Sequence, residues 1–405
     1  MILSYGTGQV VVRHAVFWMF FFCSGVLWAQ QPNAYPLGGG FLGTGSLEAS
    51  ASRVENYFYE ADAGVAATGY RLRPTVGVRR GGNEFSVMLN GQLEYSGFDL
   101  PGSFDSYLDY DASGSMKWRP YTKHGFEVSG SFRRGHDQPG LVRTEAGAFG
   151  GEIDEWRDLR GGLQYRYGSP GSPASNELTL SVRDREYLTN RNDTRILNYS
   201  TGLFDYVLSY DYSPRTTLLF NVGYGVTDYT IDQFSNGFSR NGEEVAVRLG
   251  LSWLATARTS GRLLVGARSY SVEDRSRPSR ESLAWRANVD WSPFDATTLQ
   301  ISTAQSTVES YRADTLYIDE RGADLSWRQV WSTRLTSELR GGLGQSRFVG
   351  SGRRDDAFRA TAAVNYLLRR DLTAFASIAS RNRDSNQVGR EYHAPEARIG
   401  LRWTP

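Results

Sequence analysis

The sequence predicts an all-β chain: an antiparallel transmembrane β-barrel of the outer-membrane type, with eighteen strands, short periplasmic turns and longer extracellular loops. Three observations predict it. Apolar and polar residues alternate in runs of about ten residues, the length of a tilted strand crossing a bilayer. No stretch beyond the first thirty residues approaches the roughly eighteen apolar residues that a spanning helix needs. The connections between runs alternate between tight and wide.

Composition agrees. The 405 residues include 44 Gly, 23 Tyr, 20 Phe and 10 Trp beside one cysteine, Cys23. The 45 Lys plus Arg almost cancel the 44 Asp plus Glu, so no bulk field exists to hold nucleic acid. Lys117 and Lys123 are the only lysines. The remaining cations are guanidinium groups, which favour planar, multidentate hydrogen bonding over flexible solubilising charge.

At the start of the chain, Arg13 and His14 precede an apolar run from Ala15 to Leu27 that leads into Trp28-Ala29-Gln30. Residues 1–29 read as a secretory signal cleaved after Ala29. Its removal takes Cys23 with it, and a closed hydrogen-bonded wall needs no disulfide. Residues 30–53, containing Gly38-Gly39-Gly40, are expected to form a flexible periplasmic segment, with the barrel occupying residues 54–405.

Within the barrel, Phe85, Val87, Leu89, Gly91, Leu93 and Tyr95 alternate with Ser86, Met88, Asn90, Gln92 and Glu94, the two-residue period of a strand with one apolar face. The pattern returns with Leu159, Leu163 and Tyr165 against Arg160, Gln164 and Arg166. It returns again with Val247, Leu249, Leu251 and Trp253 against Ala246, Arg248, Gly250 and Ser252. Leu283, Trp285, Val289 and Trp291 repeat it, as do Phe358, Ala362, Val364 and Tyr366. The polar faces mix Gly and Ala with whole charges, which suits a wet lumen better than a dry core, where each charge would need full pairing.

Eight tight and eight wide connections join seventeen strands from Arg71 to Trp403. Residues 54–64, with Tyr57, Phe58 and Tyr59, supply the eighteenth and satisfy the even-number rule. Sixteen follows instead if the Leu299-Ile301 segment and its neighbour do not cross. The last strand sets Ala397, Ile399, Leu401 and Trp403 against Glu396, Arg398, Gly400 and Arg402, a pattern expected to be read by the barrel-assembly machinery.

Leu367-Leu368-Arg369-Arg370-Asp371-Leu372, Arg381-Asn382-Arg383-Asp384-Ser385-Asn386 and the terminal Ile399-Gly400-Leu401-Arg402-Trp403 resemble the putative β-barrel porin 2 family of Gram-negative outer-membrane proteins. The resemblance spreads over residues 54–405. It implies a cell outer-membrane location. Because such proteins are often associated with exopolysaccharide or capsule production, it also implies an exit for a sugar polymer, with periplasmic polysaccharide-export components as partners. Outer-membrane lipid and lipopolysaccharide are the expected surroundings.

Alternation turns Glu94, Glu127, Arg133, Arg160, Arg166, Arg183, Arg248, Arg286, Asp290, Arg328, Arg359, Arg398 and Arg402 inward as the candidate lumen lining. They either meet the passing substrate or brace the interior as ion-pair networks. Tyr206, Tyr210 and Tyr212 are read as a lipid-facing girdle or as a sugar-stacking track. The stretches around Arg191 and Arg383 are read as hydrated loops or as contacts to lipopolysaccharide. An adhesive barrel and a general small-solute porin are the alternatives to polymer export. His124, His136 and His393 have no metal-ligand spacing, and no serine-centred, phosphate-loop or dinucleotide motif occurs, so neither an enzyme nor a cofactor is expected.

Overall fold

An alternating strand is satisfied only in a wall with two unlike sides, and in the computed structural model that wall closes on itself. The structure describes residues 34–405 except 63, 101–103, 148–151, 170–171, 232–238, 274–278, 311 and 313–314; the signal segment expected over residues 1–29 lies outside them. A short strand β1 (Tyr35–Gly38) turns through Gly39 and Gly40 into β2 (Phe41–Val54). Gly38, Gly39 and Gly40 all have positive φ (89°, 58° and 80°), which glycine adopts without steric cost.

The wall continues through β3 (Ala67–Arg80), β4 (Phe85–Phe98), β5 (Ser106–Tyr121), β6 (His124–His136), β7 (Glu155–Tyr167), β8 (Ala174–Tyr187) and β9 (Tyr199–Ser213). Next come β10 (Thr216–Tyr229), β11 (Gly242–Thr256), β12 (Thr259–Val272), β13 (Arg280–Trp291) and β14 (Thr297–Glu309). It ends with β15 (Tyr317–Val330), β16 (Leu335–Val349), β17 (Arg354–Arg369), β18 (Leu372–Ser385) and β19 (Tyr392–Trp403). Successive strands pair antiparallel, and β19 returns to β2 with Trp403 opposite Leu47 and Glu396 opposite Val54. Strands β2 to β19 therefore form a closed eighteen-stranded outer-membrane barrel with no free edge.

The first strand is not where the sequence suggested. Residues 41–54, expected to belong to a flexible segment, form β2, while residues 55–66, expected to hold a strand, connect β2 to β3. The outward positions of β2 are Gly43, Gly45, Leu47, Ala49 and Ala51, which leave only a faint hydrophobic alternation. Tyr57 and Tyr59 resembled a strand's aromatic face but are buried at 2% and 7% exposure. The Leu299-Ile301 segment crosses fully, because β14 pairs with β15 from Thr297 to Glu309. Its ladder to β13 is shorter and stops at Arg286 opposite Ala304.

The two faces differ as lipid and water require. Leu249, Ile378 and Ile399 are each 65% exposed on the outer face, whereas Arg248, next to Leu249 on β11, is 8% exposed on the inner one. Trp118, Tyr121, Tyr167, Tyr212, Trp291, Trp331 and Trp403 are exposed near the tight turns, where an aromatic girdle meets headgroups. The chain enters β2 and leaves β19 at this end, the periplasmic one.

Candidate functional site

The inner face is organised by cross-strand ion pairs, and many of the sequence-predicted residues take part. Glu94 on β4 receives Arg73 at 2.5 Å and Arg71 at 3.0 Å from β3. Arg402 bonds Glu48 on β2 at 2.7 Å across the closing seam, and Arg398 pairs with Glu396. Arg160 and Arg183 each reach Asp158 at 2.5 Å, and Arg185 joins them at 3.2 Å. Glu127 meets Lys117 at 3.3 Å, Arg166 meets Glu177 at 2.5 Å, and Arg359 meets Asp324 at 2.6 Å. Arg133 stands over the Trp156 ring, 5.4 Å from its centre. Asp290 accepts from Gln300 at 2.9 Å, and Arg248 donates to Asn221 at 2.9 Å. Arg286 and Arg328 have no hydrogen bond or ion pair with a described residue.

Exposure along this face falls from one end to the other. Near the periplasmic turns the side chains of Lys117 and Arg166 are 55% and 43% exposed. Toward the extracellular loops Asp158, Trp156 and Ser96 are buried. The lumen is thus wet at one end and packed at the other.

The packing at the extracellular mouth comes from loops folded inward. Leu141 and Val142, from the β6–β7 connection, join Tyr59, Trp156, Tyr187, Leu197 and Ala394 in one apolar cluster. This cluster spans the mouth from β7 and β8 to β19. Val142 (φ 56°) and Tyr59 (φ 52°) occupy the left-handed region, costly for a β-branched or bulky side chain and tolerated only where packing over-determines the backbone. A Cβ on Gly140 would lie 1.5 Å from the Phe58 carbonyl oxygen, so the two loops touch backbone to backbone.

Charge locks the same loop to the opposite wall. Glu145, 3% exposed, accepts from Arg353 at 2.8 and 3.0 Å, from Arg383 at 2.7 Å and from Arg390 at 3.3 Å. Arg353, 1% exposed, also bonds Asp355 at 2.9 Å and covers the Phe348 ring. A second cross-tie runs from Arg240, whose guanidinium donates to the carbonyls of Ile196 and Ser310, 2.7 Å to the latter. These bonds tie the β10–β11 connection to its neighbour between β8 and β9 and to the connection between β14 and β15.

Two loop carboxyls in the mouth are shifted in opposite directions. Burial pushes Asp137 up to about 6, against the pull of Arg185 and the bond from Tyr187. Burial would raise Glu145 as well, but the hydrogen bonds of Arg353 and the charges of Arg383 and Arg390 outweigh it and hold Glu145 below its ordinary value.

The structure chooses between several open readings. Tyr206, Tyr210 and Tyr212 share the outward register, Tyr210 and Tyr212 being exposed, so they belong to the lipid-facing girdle and form no track inside. Arg383 is buried in the mouth instead of lying in a surface loop, whereas Arg191 is exposed and bonds Glu186 at 2.9 Å. The three histidines do not converge: His124 bonds Tyr165, His136 bonds Asp109 and His393 bonds Asn382. Sequence reasoning missed Asp158, which strict alternation two positions before Arg160 would have found. It also missed Glu145, Arg353 and Asp137, which lie in loops without periodicity.

The sequence profile of the family described as putative beta-barrel porin 2 matches residues 189–404. No curated protein matches the chain. Among solved structures, the chain is similar to a bacterial polysaccharide outer membrane secretin, covering 89% of this chain and 98% of that one at 10% identity and a TM-score of 0.36. OccAB4 of Acinetobacter baumannii aligns over 89% and 97% at 10% identity with a TM-score of 0.45. The FrpB iron transporter of Neisseria meningitidis aligns over 89% and 81% at 9% identity with a TM-score of 0.48.

Proposed function

Because this chain belongs to the putative beta-barrel porin 2 family, we propose that it is an outer-membrane channel for small hydrophilic solutes, with its extracellular mouth narrowed by inward-folded loops. The observation that carries this reading is the gradient along one charged face, from water-exposed Lys117 and Arg166 to buried Asp158 and Glu145. Solute enters freely from the periplasmic end, and passage depends on the loops at the other. The charges lining the way order water and set which ions enter.

Export of a sugar polymer, implied by the family resemblance, draws less support. A polymer needs a continuous cross-section along the whole barrel. Here the Glu145 and Arg240 cross-ties and the Tyr59–Trp156 cluster occupy the mouth, and the polymer would have to displace them together. The adhesive alternative also draws little support, since Arg383, one of its two anchors, is buried.

Liposomes containing the purified barrel test the reading. Swelling in a monosaccharide, with rates that fall steeply for longer oligosaccharides, is the expected result. Equal rates for all lengths would favour polymer passage, and no swelling with any solute from a correctly folded barrel would overturn the channel reading.

A further inference from the structure

At mid-height the inner face carries guanidinium groups without carboxylates of their own. Arg248 on β11 lies opposite Gly266, Arg262 on β12 lies opposite Asn288, and Arg286 on β13 lies opposite Leu264. Arg248, 8% exposed, spends its Nη1 on the neutral Asn221 side chain at 2.9 Å, and its buried Nε meets no acceptor. The Nε of Arg262 is buried without an acceptor as well. Neither Arg262 nor Arg286 has a hydrogen bond or ion pair with a described residue.

Arg286 links the three cations. Arg286 lies within electrostatic reach of both Arg248 and Arg262, and the acids in reach are Asp205 and Glu244. Both acids have other partners: Asp205 accepts from Asn221 at 2.9 Å, and Glu244 lies 3.7 Å from Arg268. Elsewhere in the lumen the design is different. Arg183, Arg268 and Arg359 each meet a carboxylate at 2.5 or 2.6 Å.

Room for a ligand comes from the neighbouring positions. In the row of Arg286 the inward residues are Leu264, which is buried beside it, and then the small Gly250, Ala304, Gly322, Gly344 and Ala357. The row of Arg248 continues into Gly266 and Ala284. Long forked donors thus rise from a floor of residues that, apart from Leu264, are small, and donors left there without acceptors are costly unless something supplies them. An oxyanion does so, because its paired oxygens match the guanidinium fork.

We propose that Arg248, Arg262 and Arg286 form a binding site for a small oxyanion, a carboxylate or phosphate group carried by the solute, half way along the lumen. This names the substrate class of the channel and rests on the small-solute reading. The site discriminates by charge and by the presence of at least two oxygens on one centre.

The test is calorimetric titration of the detergent-purified barrel with inorganic phosphate and with succinate, beside reversal potentials in a potassium chloride gradient. Wild-type protein is expected to bind at least one probe and to favour anions. The Arg262→Gln/Arg286→Gln double variant is expected to bind about tenfold more weakly, the loss of roughly one charge-assisted bond, and to shift permeability toward cations. The Arg262→Lys/Arg286→Lys variant keeps the charges without the planar fork; it should retain the anion preference and lose most of the affinity. If the glutamine pair does not fold, the lysine pair decides by its affinity alone.

Wild-type protein that binds neither probe, or a folded variant of either pair that binds as wild type does, would overturn the site. The relative affinity for phosphate and succinate identifies which oxyanion the site takes. A barrel that binds but conducts in no state would sink the channel reading and leave the site standing. A barrel that conducts with selectivity and binding unmoved by both pairs would do the reverse.

Discussion

Replacing Glu145 by Ala is expected to raise single-channel conductance several-fold. Glu145 gathers Arg353, Arg383 and Arg390 from the far side of the mouth, at 2.7 to 3.3 Å. Without it, three cations face one another in the mouth, with Asp355, bonded to Arg353, as a remaining buried carboxylate. Removing one partner from a buried ionic group costs about 3–5 kcal/mol. The barrel ladder does not depend on this loop, so the cost falls on the loop's docking. Glu145→Gln keeps the shape but not the charge and is expected to give an intermediate conductance. Conductance equal to wild type in both variants would mean that the loop does not close the mouth.

Acid should reach the same state by another route. The Glu145 carboxyl is held below its ordinary value of 4.5, so its contribution is complete above that value and is lost as pH falls through the lower, folded one. Asp137 acts in the opposite direction. Its folded value is raised to about 6; between that value and its ordinary 3.8 the folded mouth holds a proton that the opened loop does not, so mild acid favours the closed mouth. Conductance recorded from pH 7 to pH 3 is therefore expected to stay low or fall slightly near pH 5 and to rise only below about 4.5.

Gly400→Val is expected to abolish the folded barrel. Gly400 lies opposite Phe375 on β18 and Ser50 on β2, at the seam that closes the wall. A Cβ there would stand 2.5 Å from the Phe375 ring and 2.6 Å from the Ala49 carbonyl oxygen. The ring can turn, but the carbonyl belongs to the closing ladder and cannot retreat without opening it. A barrel left unclosed exposes backbone groups that lipid cannot satisfy, at several kcal/mol each. The heat-modifiable folded band on gels should disappear. Gly341→Val is the control, because a Cβ at Gly341 meets nothing within 4 Å; its folded band should persist.

The wall was legible in the sequence because the bilayer imposes a period of two. Leu249 and Arg248 could be assigned to opposite sides from their order alone, and the turns could be sorted by length. The same rule failed at β2, where outward Gly43, Gly45, Ala49 and Ala51 carry almost no hydrophobic contrast and the aromatic residues after them drew attention to the wrong segment. The inward side of Arg166 was legible, but its partner Glu177 on the next strand was not, because the pairing depends on the strand register. Nor was the mouth. Glu145 and Arg353 lie 208 positions apart in the chain, in loops whose residues follow no period, and only the closure of the barrel brings them together.

One face of each strand from β2 to β19 meets lipid while the other meets water from the periplasmic side up to a packed mouth. Cys23 is the only cysteine in the sequence and precedes the described residues, so single introduced thiols report each strand environment. A membrane-impermeant thiol reagent applied from the periplasmic face should modify Asn90→Cys, on the exposed inner face of β4. It should spare Ser96→Cys, buried near the mouth, and Leu249→Cys, on the outer face. A lipid-soluble reagent should modify Leu249→Cys. Rapid modification of Leu249→Cys by the impermeant reagent, with Asn90→Cys protected, would contradict the account.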